Sequence, residues 1–453
     1  MIAIKTIAAC AHKAGAAGLF GLFFHSLALA ALPIQHWTQP NGAKVYLVES
    51  PAIAMLDVQI DLDAGNRRDP ADKAGLASMM AGLLEKGVAA KNGAPALDEN
   101  ALSEAWADLG AQFGAGTTSD RLSFSLRTLT DPALLDKAAA LAAREIAEPA
   151  FPEAVWQRER ARLQASIRES YTRPASVAGR AYTPAVYGTH PYGYEVTEES
   201  LARISVGDMR AAHATGVTAC RARISMVGAV TRAQADAIAA KLLARLPQVA
   251  CASLPPLPAV AEVEPLTGPV EKRIPFASAQ AQVLIGQPGY KRADPDYFAL
   301  TVGNYILGGG GFVSRLANEV REKRGLTYGV SSYFSPALHA GAFTISMQTR
   351  PDQAAQAVDL VRKVVADFVA NGPLETELKA AKDNLVGGFA LRIDSNRKLL
   401  DNVSSIAWND LPLNYLDTWT QQVDKVTVAD IKAAFARKLQ PEKMVTVILG
   451  AAP

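Results

Sequence analysis

The chain has 453 residues, of which 49% are hydrophobic, 20% are charged and 7% are aromatic, and its formal net charge is +2. This length favours at least two domains, and the composition excludes a disordered chain. Lys and Arg are scattered, so no basic stripe is present that could follow a phosphate backbone. We therefore expect no nucleic-acid partner.

The first thirty residues differ in composition from the rest. Two lysines precede an apolar run over residues 14–29, which closes on the small residues of Ala28-Leu29-Ala30. This pattern is typical of a secretory signal, so we interpret residues 1–30 as a cleaved signal and expect a periplasmic protein that has no membrane partner after cleavage. The alternative is an uncleaved anchor, but the run is shorter than the roughly 20 residues that span a bilayer and is interrupted by a His-Ser pair.

Signal cleavage would remove Cys10 and leave Cys220 and Cys251 in a compartment that permits disulfides. The sequence does not give the distance between the two thiols, so a Cys220–Cys251 bridge and two free thiols both stay open.

The chain contains an internal repeat. Residues 201–229 align without a gap with residues 423–451, so that Asp208 meets Asp430 at an offset of 222 residues. Each copy reads as a helix cap, a short amphipathic helix, a loop and a strand that ends at glycine. This conserved order indicates duplication of a structural unit.

A second match lies upstream, where a strand ending at Gly65 resembles one ending at Gly289, at an offset of 224 residues. The near-equal offset indicates that a whole domain is repeated. We predict an α+β fold of two tandem modules, residues 31–252 and 270–453, joined by a Pro-rich linker at residues 253–269. Hairpins as well as helices connect the strands, so each module should hold a mixed or antiparallel sheet with helices on one face.

Two motifs resemble a known family. Residues 75–87 read GLASMMAGLLEKG, and residues 321–328 read REKRGLTY. With the duplicated module, these segments resemble the insulinase or pitrilysin-type metallopeptidases, in the class of processing-peptidase subunits. The resemblance implies that this chain forms half of a clam-shell chamber.

Active members of that family carry His-x-x-Glu-His on the first helix, where the histidines bind zinc and the Glu activates water. At the matching places this chain has Ser78, Ala81 and Gly82. The family's third ligand is a Glu seven residues after another Glu, and seven residues after Glu159 stands Ser166. The resemblance thus implies lost ligand positions at Ser78, Gly82 and Ser166, and a lost base at Ala81. We expect no cofactor in this chain and zinc in its partner.

Other residues do not restore a metal site in our interpretation. Glu169 lies one turn after Ser166 and reads as a surface carboxylate on an Arg-rich helix rather than a displaced ligand. The histidines of the presumed mature chain are widely spaced in sequence, and none follows another at metal-ligand spacing: His36, His190, His213 and His339.

In the second motif, Arg321 and Tyr328 match the family in residue type and in their spacing of seven residues. The resemblance implies that Arg321 and Tyr328 contact the substrate and its scissile carbonyl, and both are donors that can stabilise a developing oxyanion. The alternative interpretation is an Arg321 ion pair with Glu319 or Glu322 and a tyrosine within a strand core.

Four glycines, residues 308–311, precede Phe312. The functional interpretation assigns peptide binding to Gly309, Gly310, Gly311 and Phe312. The structural alternative is a helix C-cap and turn that use the positive φ open to glycine.

These features predict a zinc-free subunit of a periplasmic heterodimeric metallopeptidase, which binds peptide beside a zinc-bearing homologous partner and is not active alone. The alternative is a catalytically inert peptide-binding or assembly protein of the same fold. An autonomous hydrolase is the weakest hypothesis, because no nucleophile motif stands out.

Overall fold

A computed structural model describes residues 33–91 and 93–450 of the chain. The predicted signal at residues 1–30 lies outside the described residues. No helix in the described part of the chain combines the length and the apolar character that crossing a membrane requires.

The strands fall into two groups along the chain, and a long helical stretch precedes the last strand of each group. In chain order they are β1 (Gln35–Thr38), β2 (Lys44–Glu49), β3 (Met55–Leu62), β4 (Gly87–Val88), β5 (Leu97–Asp98), β6 (Gln112–Thr117), β7 (Leu122–Leu129), β8 (Arg223–Gly228), β9 (Val270–Ile274), β10 (Ala281–Tyr290), β11 (Thr327–Phe334), β12 (Gly341–Thr349) and β13 (Val445–Leu449).

The α-helices lie between these strands, with a similar order in both groups. They are α1 (Leu76–Leu84), α2 (Glu99–Asp108), α3 (Pro132–Ala147), α4 (Glu153–Ser170), α5 (Pro174–Tyr187), α6 (Glu198–Arg203), α7 (Val206–Gly216), α8 (Arg232–Leu243), α9 (Tyr297–Asn304), α10 (Ala354–Asn371), α11 (Glu375–Gly387), α12 (Asn396–Trp408), α13 (Tyr415–Lys425) and α14 (Val428–Lys438).

Apart from the additional edge strand β1 of the first, the two main sheets share one topology. The first has the strand order β1-β2-β8-β3-β7-β6, and the second, read from its other edge, has the order β9-β13-β10-β12-β11. In each sheet one pair is parallel, β2 with β8 and β9 with β13, and the other pairs are antiparallel. The expected pair of homologous α+β modules with mixed sheets is therefore confirmed.

The repeat is also exact at the level of helix caps. Ser205 accepts the N–H of Asp208 at 3.1 Å, and the Asp208 carboxylate accepts the N–H of Ser205 at 2.9 Å. Thr427 and Asp430 make the same pair of bonds at the same distances. Such capping boxes satisfy N–H groups that have no partner inside the helix, which explains why α7 and α14 begin at equivalent points.

Each sheet buries one face against its own helices. On β3, alternate residues from Leu56 to Leu62 enter the first core, where side chains of α1, α2, α3 and α8 pack. The second core is built in the same way against α9, α10, α11 and α14.

The opposite face of each sheet is covered by a helix from the other half. Helix α5 lies on β10 and β13, and its Tyr182 hydroxyl bonds to Thr344 at 2.9 Å. Helix α12 lies on β8 and β3, where Gln59 donates to Ser404 at 2.8 Å. We expected helices on one face of each sheet, and this exchange places a helix on the second face as well. The sequence did not indicate this feature.

The halves are connected by residues 254–269, which contain no helix or strand. Their path begins at a disulfide between Cys251 and Cys220, whose Cα atoms lie 5.5 Å apart, so the bridged alternative is the one that the structure contains. Glu262 of this segment forms an ion pair with Lys291 of the second half, and its carboxylate lies 3.4 Å from Nδ1 of His339.

Candidate functional site

Helix α1, which carries the positions of the zinc motif, is well formed. The carboxylate of Asp69 accepts the N–H groups of Gly75 and Ala77, both at 2.9 Å, and so caps the helix. Burial raises the pKa of Asp69 to about 6, against the opposing effect of these N–H groups. The helix therefore keeps its place although the metal-binding residue types are absent.

The side chains at the motif positions do not fit a zinc ion. The Ser78 hydroxyl is engaged by Asn66 at 3.0 Å and by Thr117 at 2.9 Å. Ala81 is buried in the first core. Gly82 has no side chain, and a Cβ built there would meet no atom within 4 Å. The place of the second family histidine is therefore open space.

The third position does not fit either, because Ser166 is exposed on α4 and offers only a neutral hydroxyl. Within the two described ranges of the chain, no three His, Cys, Asp or Glu side chains are grouped so that they could hold a metal ion.

The carboxyl group of Glu85, directly after α1, lies near that of Glu145 on α3. Glu85 accepts the N–H of Ala115 on the edge strand β6 at 2.6 Å. Glu145 accepts the indole N–H of Trp106 in the core. Burial, with a smaller contribution from the nearby charge of Glu85, raises the pKa of Glu145 to about 8. Glu145 is therefore largely protonated at neutral pH, a state that the sequence did not indicate.

The glycine run lies in the second half, where α9 continues as a π-helical turn over Tyr305–Gly309. A Cβ on Gly308 would lie 2.4 Å from the Ser332 hydroxyl, and one on Gly310 would lie 2.7 Å from the Tyr305 carbonyl. Of the four glycines in residues 308–311, only Gly311 has a positive φ, of 64°. The expected positive-φ turn thus accounts for one glycine, and close approach of other atoms accounts for Gly308 and Gly310.

Arg321 lies close to two aromatic rings. Its guanidinium lies 4.3 Å from the ring centroid of Phe312 and 5.6 Å from that of Tyr328, and it donates to Glu322 at 2.5 Å. Phe312 is 70% exposed and Tyr328 is 84% exposed. The alternative of a tyrosine within a strand core is therefore wrong, whereas the ion pair with Glu322 is present.

Two further residues support this arrangement. The Asn304 side chain donates to the Ser332 carbonyl at 3.1 Å and accepts the Ser332 hydroxyl at 2.7 Å. This pair connects the end of α9 to strand β11, which also carries Tyr328. Sequence reasoning missed both residues, because 28 positions separate them and neither belongs to a motif.

Two histidines that are distant in sequence meet between the halves. The rings of His190 and His339 lie 5.2 Å apart, and burial, followed by the proximity of His339, lowers the pKa of His190. Because Nδ1 of His190 accepts the N–H of Tyr192 at 3.1 Å, the neutral ring carries its proton on Nε2. A metal at Nε2 would have to displace that proton, so this contact does not resemble a metal site.

Comparisons with known proteins agree with these features. Residues 44–199 match the family model for insulinase, peptidase family M16, and residues 203–385 match the model described as the peptidase M16 inactive domain. A solved structure described as a peptidase M16 inactive domain from Pseudomonas fluorescens is 34% identical, with a TM-score of 0.86, and the alignment covers 93% of this chain and 98% of that chain.

Two curated relatives carry different descriptions. An uncharacterized zinc protease of Mycobacterium leprae is 25% identical over 417 residues, or 91% of this chain and 91% of that protein. A non-peptidase homologue from Helicobacter pylori is 32% identical over 164 residues, or 36% of this chain and 37% of that protein. The resemblance seen in the motifs is confirmed, and the chain belongs to the insulinase family, peptidase family M16.

Proposed function

We propose that this chain is the zinc-free subunit of a periplasmic heterodimeric metallopeptidase. In this assembly it forms half of the chamber, binds the peptide, and presents Arg321 and Tyr328 to the zinc site of a homologous partner. The observation that carries the proposal is the contrast between the two halves: the zinc positions hold Ser78, Ala81 and Gly82, whereas the second half keeps its donor pair, with Arg321 partly exposed and Tyr328 exposed.

The arrangement around Arg321 supports a role in binding. Phe312, in the short helical turn after the glycines, and Tyr328, on strand β11, expose their rings to solvent beside the same guanidinium, and such a cluster of exposed aromatic rings favours contact with another molecule. The Arg321 guanidinium close to both rings and the Tyr328 hydroxyl offer hydrogen-bond donors to a peptide carbonyl. One well-placed donor to a developing oxyanion contributes about 3 kcal/mol to the transition state.

The proposal also agrees with two of the descriptions reported above. A chain with the fold of this family but without a fitting zinc site is expected to be inactive alone, in keeping with the descriptions "inactive domain" and "non-peptidase homologue". The zinc would be held by the partner, and no residue of this chain would contact it as a ligand.

The test measures zinc content and peptidase activity of the mature protein, first alone and then mixed with the product of any adjacent gene that encodes an intact His-x-x-Glu-His motif. We expect no zinc and no activity alone, and activity after mixing that falls at least about tenfold in Arg321→Ala and in Tyr328→Phe. Stoichiometric zinc and activity in the lone chain would overturn the proposal.

The second candidate function is a catalytically inert peptide-binding or assembly protein. The non-peptidase description of the Helicobacter pylori relative favours it. Under this hypothesis a labelled unstructured peptide binds the lone chain, and no homologous partner restores hydrolysis.

A further inference from the structure

The end of helix α9, which leads into the glycine run, is joined to strand β11 by a partly buried side-chain pair. Ser332 is 2% exposed, and both its hydroxyl and its carbonyl bond to the Asn304 amide, at 2.7 and 3.1 Å. Because the amide acts as donor and acceptor at once, it fixes the end of α9 in both distance and orientation relative to β11.

Two glycines, Gly308 and Gly309, lie in close contact with this pair. A Cβ on Gly308 would lie 2.4 Å from the Ser332 hydroxyl, and one on Gly309 would lie 2.9 Å from the Asn304 amide nitrogen. The loop therefore rests directly on the Asn304–Ser332 pair, with no layer of side chains between them. Movement of Asn304 would move the base of the loop.

The same loop leads to Phe312, one of the two aromatic rings beside Arg321. Phe312 follows the last glycine, and the Arg321 guanidinium lies 4.3 Å from its ring. Tyr328, whose ring centroid is 5.6 Å from the same guanidinium, lies on β11 four residues before Ser332. The loop and the strand thus each supply one aromatic ring to the Arg321 guanidinium, and the Asn304–Ser332 pair connects the loop to the strand.

We propose that Asn304 is a positioning residue: through Ser332 it ties the glycine loop to β11 and so holds Phe312 and Arg321 in register with Tyr328. The inference rests on the proposed function for its effect on hydrolysis. It goes beyond that function because it makes Asn304, which lies outside both motifs, responsible for the relative positions of Arg321 and Tyr328.

The test compares Asn304→Ala with a matched control, Gln287→Ala. The Gln287 amide makes a similar bridge, in which it donates to the Lys438 carbonyl at 3.1 Å and accepts the Gln440 N–H at 2.8 Å. Both substitutions remove an amide that bridges two segments, and both are expected to lower stability; the Gln287 amide also donates to the Pro288 carbonyl at 3.1 Å. Only Asn304→Ala removes the bridge beneath the glycine loop. Ser332→Ala deletes the same hydroxyl bond from the strand side and serves if Asn304→Ala does not fold.

Two measurements are made on the full mature chain. Hydrogen exchange of residues 308–316 is followed in the lone chain, and kcat and KM are measured for the mixture with the zinc-bearing partner on a quenched fluorescent unstructured peptide. For Asn304→Ala we expect exchange in the loop to rise about tenfold and kcat to fall about tenfold, while KM changes little. Gln287→Ala should leave kcat and the exchange of the loop unchanged.

Combination with Arg321→Ala distinguishes positioning from a general loss of stability. If Asn304 acts through Arg321, the double variant Asn304→Ala/Arg321→Ala is no slower than Arg321→Ala alone. Wild-type kcat in Asn304→Ala, or losses that multiply in the double variant, would overturn the positioning role. If the mixture has no activity, the proposed function fails instead, and unchanged loop exchange in Asn304→Ala would still refute the inference.

Discussion

Ser404 on helix α12 donates a 2.7 Å hydrogen bond to Asp61 on strand β3, across 343 residues of sequence. The Asp61 carboxylate is fully buried and also accepts from Ser123 at 2.5 Å and from Arg121 at 3.2 Å. A buried carboxylate needs such partners because its desolvation is costly. The second half of the chain thus supplies a hydroxyl that the first half needs.

The first prediction concerns this contact. Ser404→Ala should lower the free energy of unfolding by about 1–3 kcal/mol, because Asp61 stays buried with one partner fewer. Urea unfolding measures the change, and Ser405→Ala on the same helix is the control, with an expected effect of about 0.5 kcal/mol or less. Equal effects of the two substitutions would show that the contact contributes little.

The second prediction concerns the pKa of Glu145. Burial raises this pKa from 4.5 to about 8, so between these pH values the folded chain keeps a proton that the unfolded chain has lost. The free energy of unfolding should therefore decrease as pH rises through this window. Glu145→Gln keeps an acceptor for the Trp106 indole and has no carboxyl group to ionise. The variant should have a higher Tm at pH 8.5, by roughly 5 °C, and a Tm close to that of the wild type near pH 5.

Thermal unfolding across pH 5–9 checks this prediction, with the exposed Glu169→Gln as control. The difference between the Tm of Glu145→Gln and that of the wild type should grow with pH. A constant difference would mean that Glu145 does not titrate within the window.

The third prediction concerns the disulfide. The Cys220–Cys251 bridge closes a loop with a sequence separation of 31 residues. Loop-closure entropy suggests that the Cys220→Ser/Cys251→Ser variant loses about 3–4 kcal/mol of stability. Denaturant unfolding with and without a thiol reductant measures this loss. The reductant should lower the free energy of unfolding of the wild type to that of the variant and should not change that of the variant. A variant as stable as the oxidised wild type would argue against a stabilising bridge.

The fourth prediction compares two glycines. Gly308→Ala would place a methyl group 2.6 Å from the Ser332 backbone nitrogen. Relief of this clash would require the backbone of strand β11 to move, so we expect a clear loss of stability. Gly82→Ala meets open space inside helix α1 and should stabilise the protein by about 0.5–1 kcal/mol, since alanine favours the helix. Thermal unfolding of the two variants should give Tm shifts of opposite sign. Shifts of the same sign would contradict the packing described around the loop.

Features that depend on neighbouring residues were predictable from the sequence. The capping boxes at Ser205 and Thr427 require a partner only three residues away, so both helix starts could be seen in the repeat. The loss of zinc ligands at Ser78 and Gly82 was equally visible, because the two family histidines stand four residues apart on one helix.

Features that depend on distant pairs were not predictable. The exchange of α5 and α12 places Tyr182 on Thr344 and Ser404 on Asp61, contacts that no local pattern encodes. Tyr328 could equally have been a core residue, since strand alternation does not reveal which face is covered.

The sequence by itself determined the duplicated α+β module, the family, and the absence of fitting ligands at the zinc positions, because these follow from residue type and short spacing. Tertiary structure alone decided the disulfide, the neutral Glu145, the exposed rings around Arg321 and the Asn304–Ser332 pair beneath the glycine loop. These features depend on burial and on distances between residues that are far apart in the chain, and both quantities exist only once the two sheets and their exchanged helices have packed.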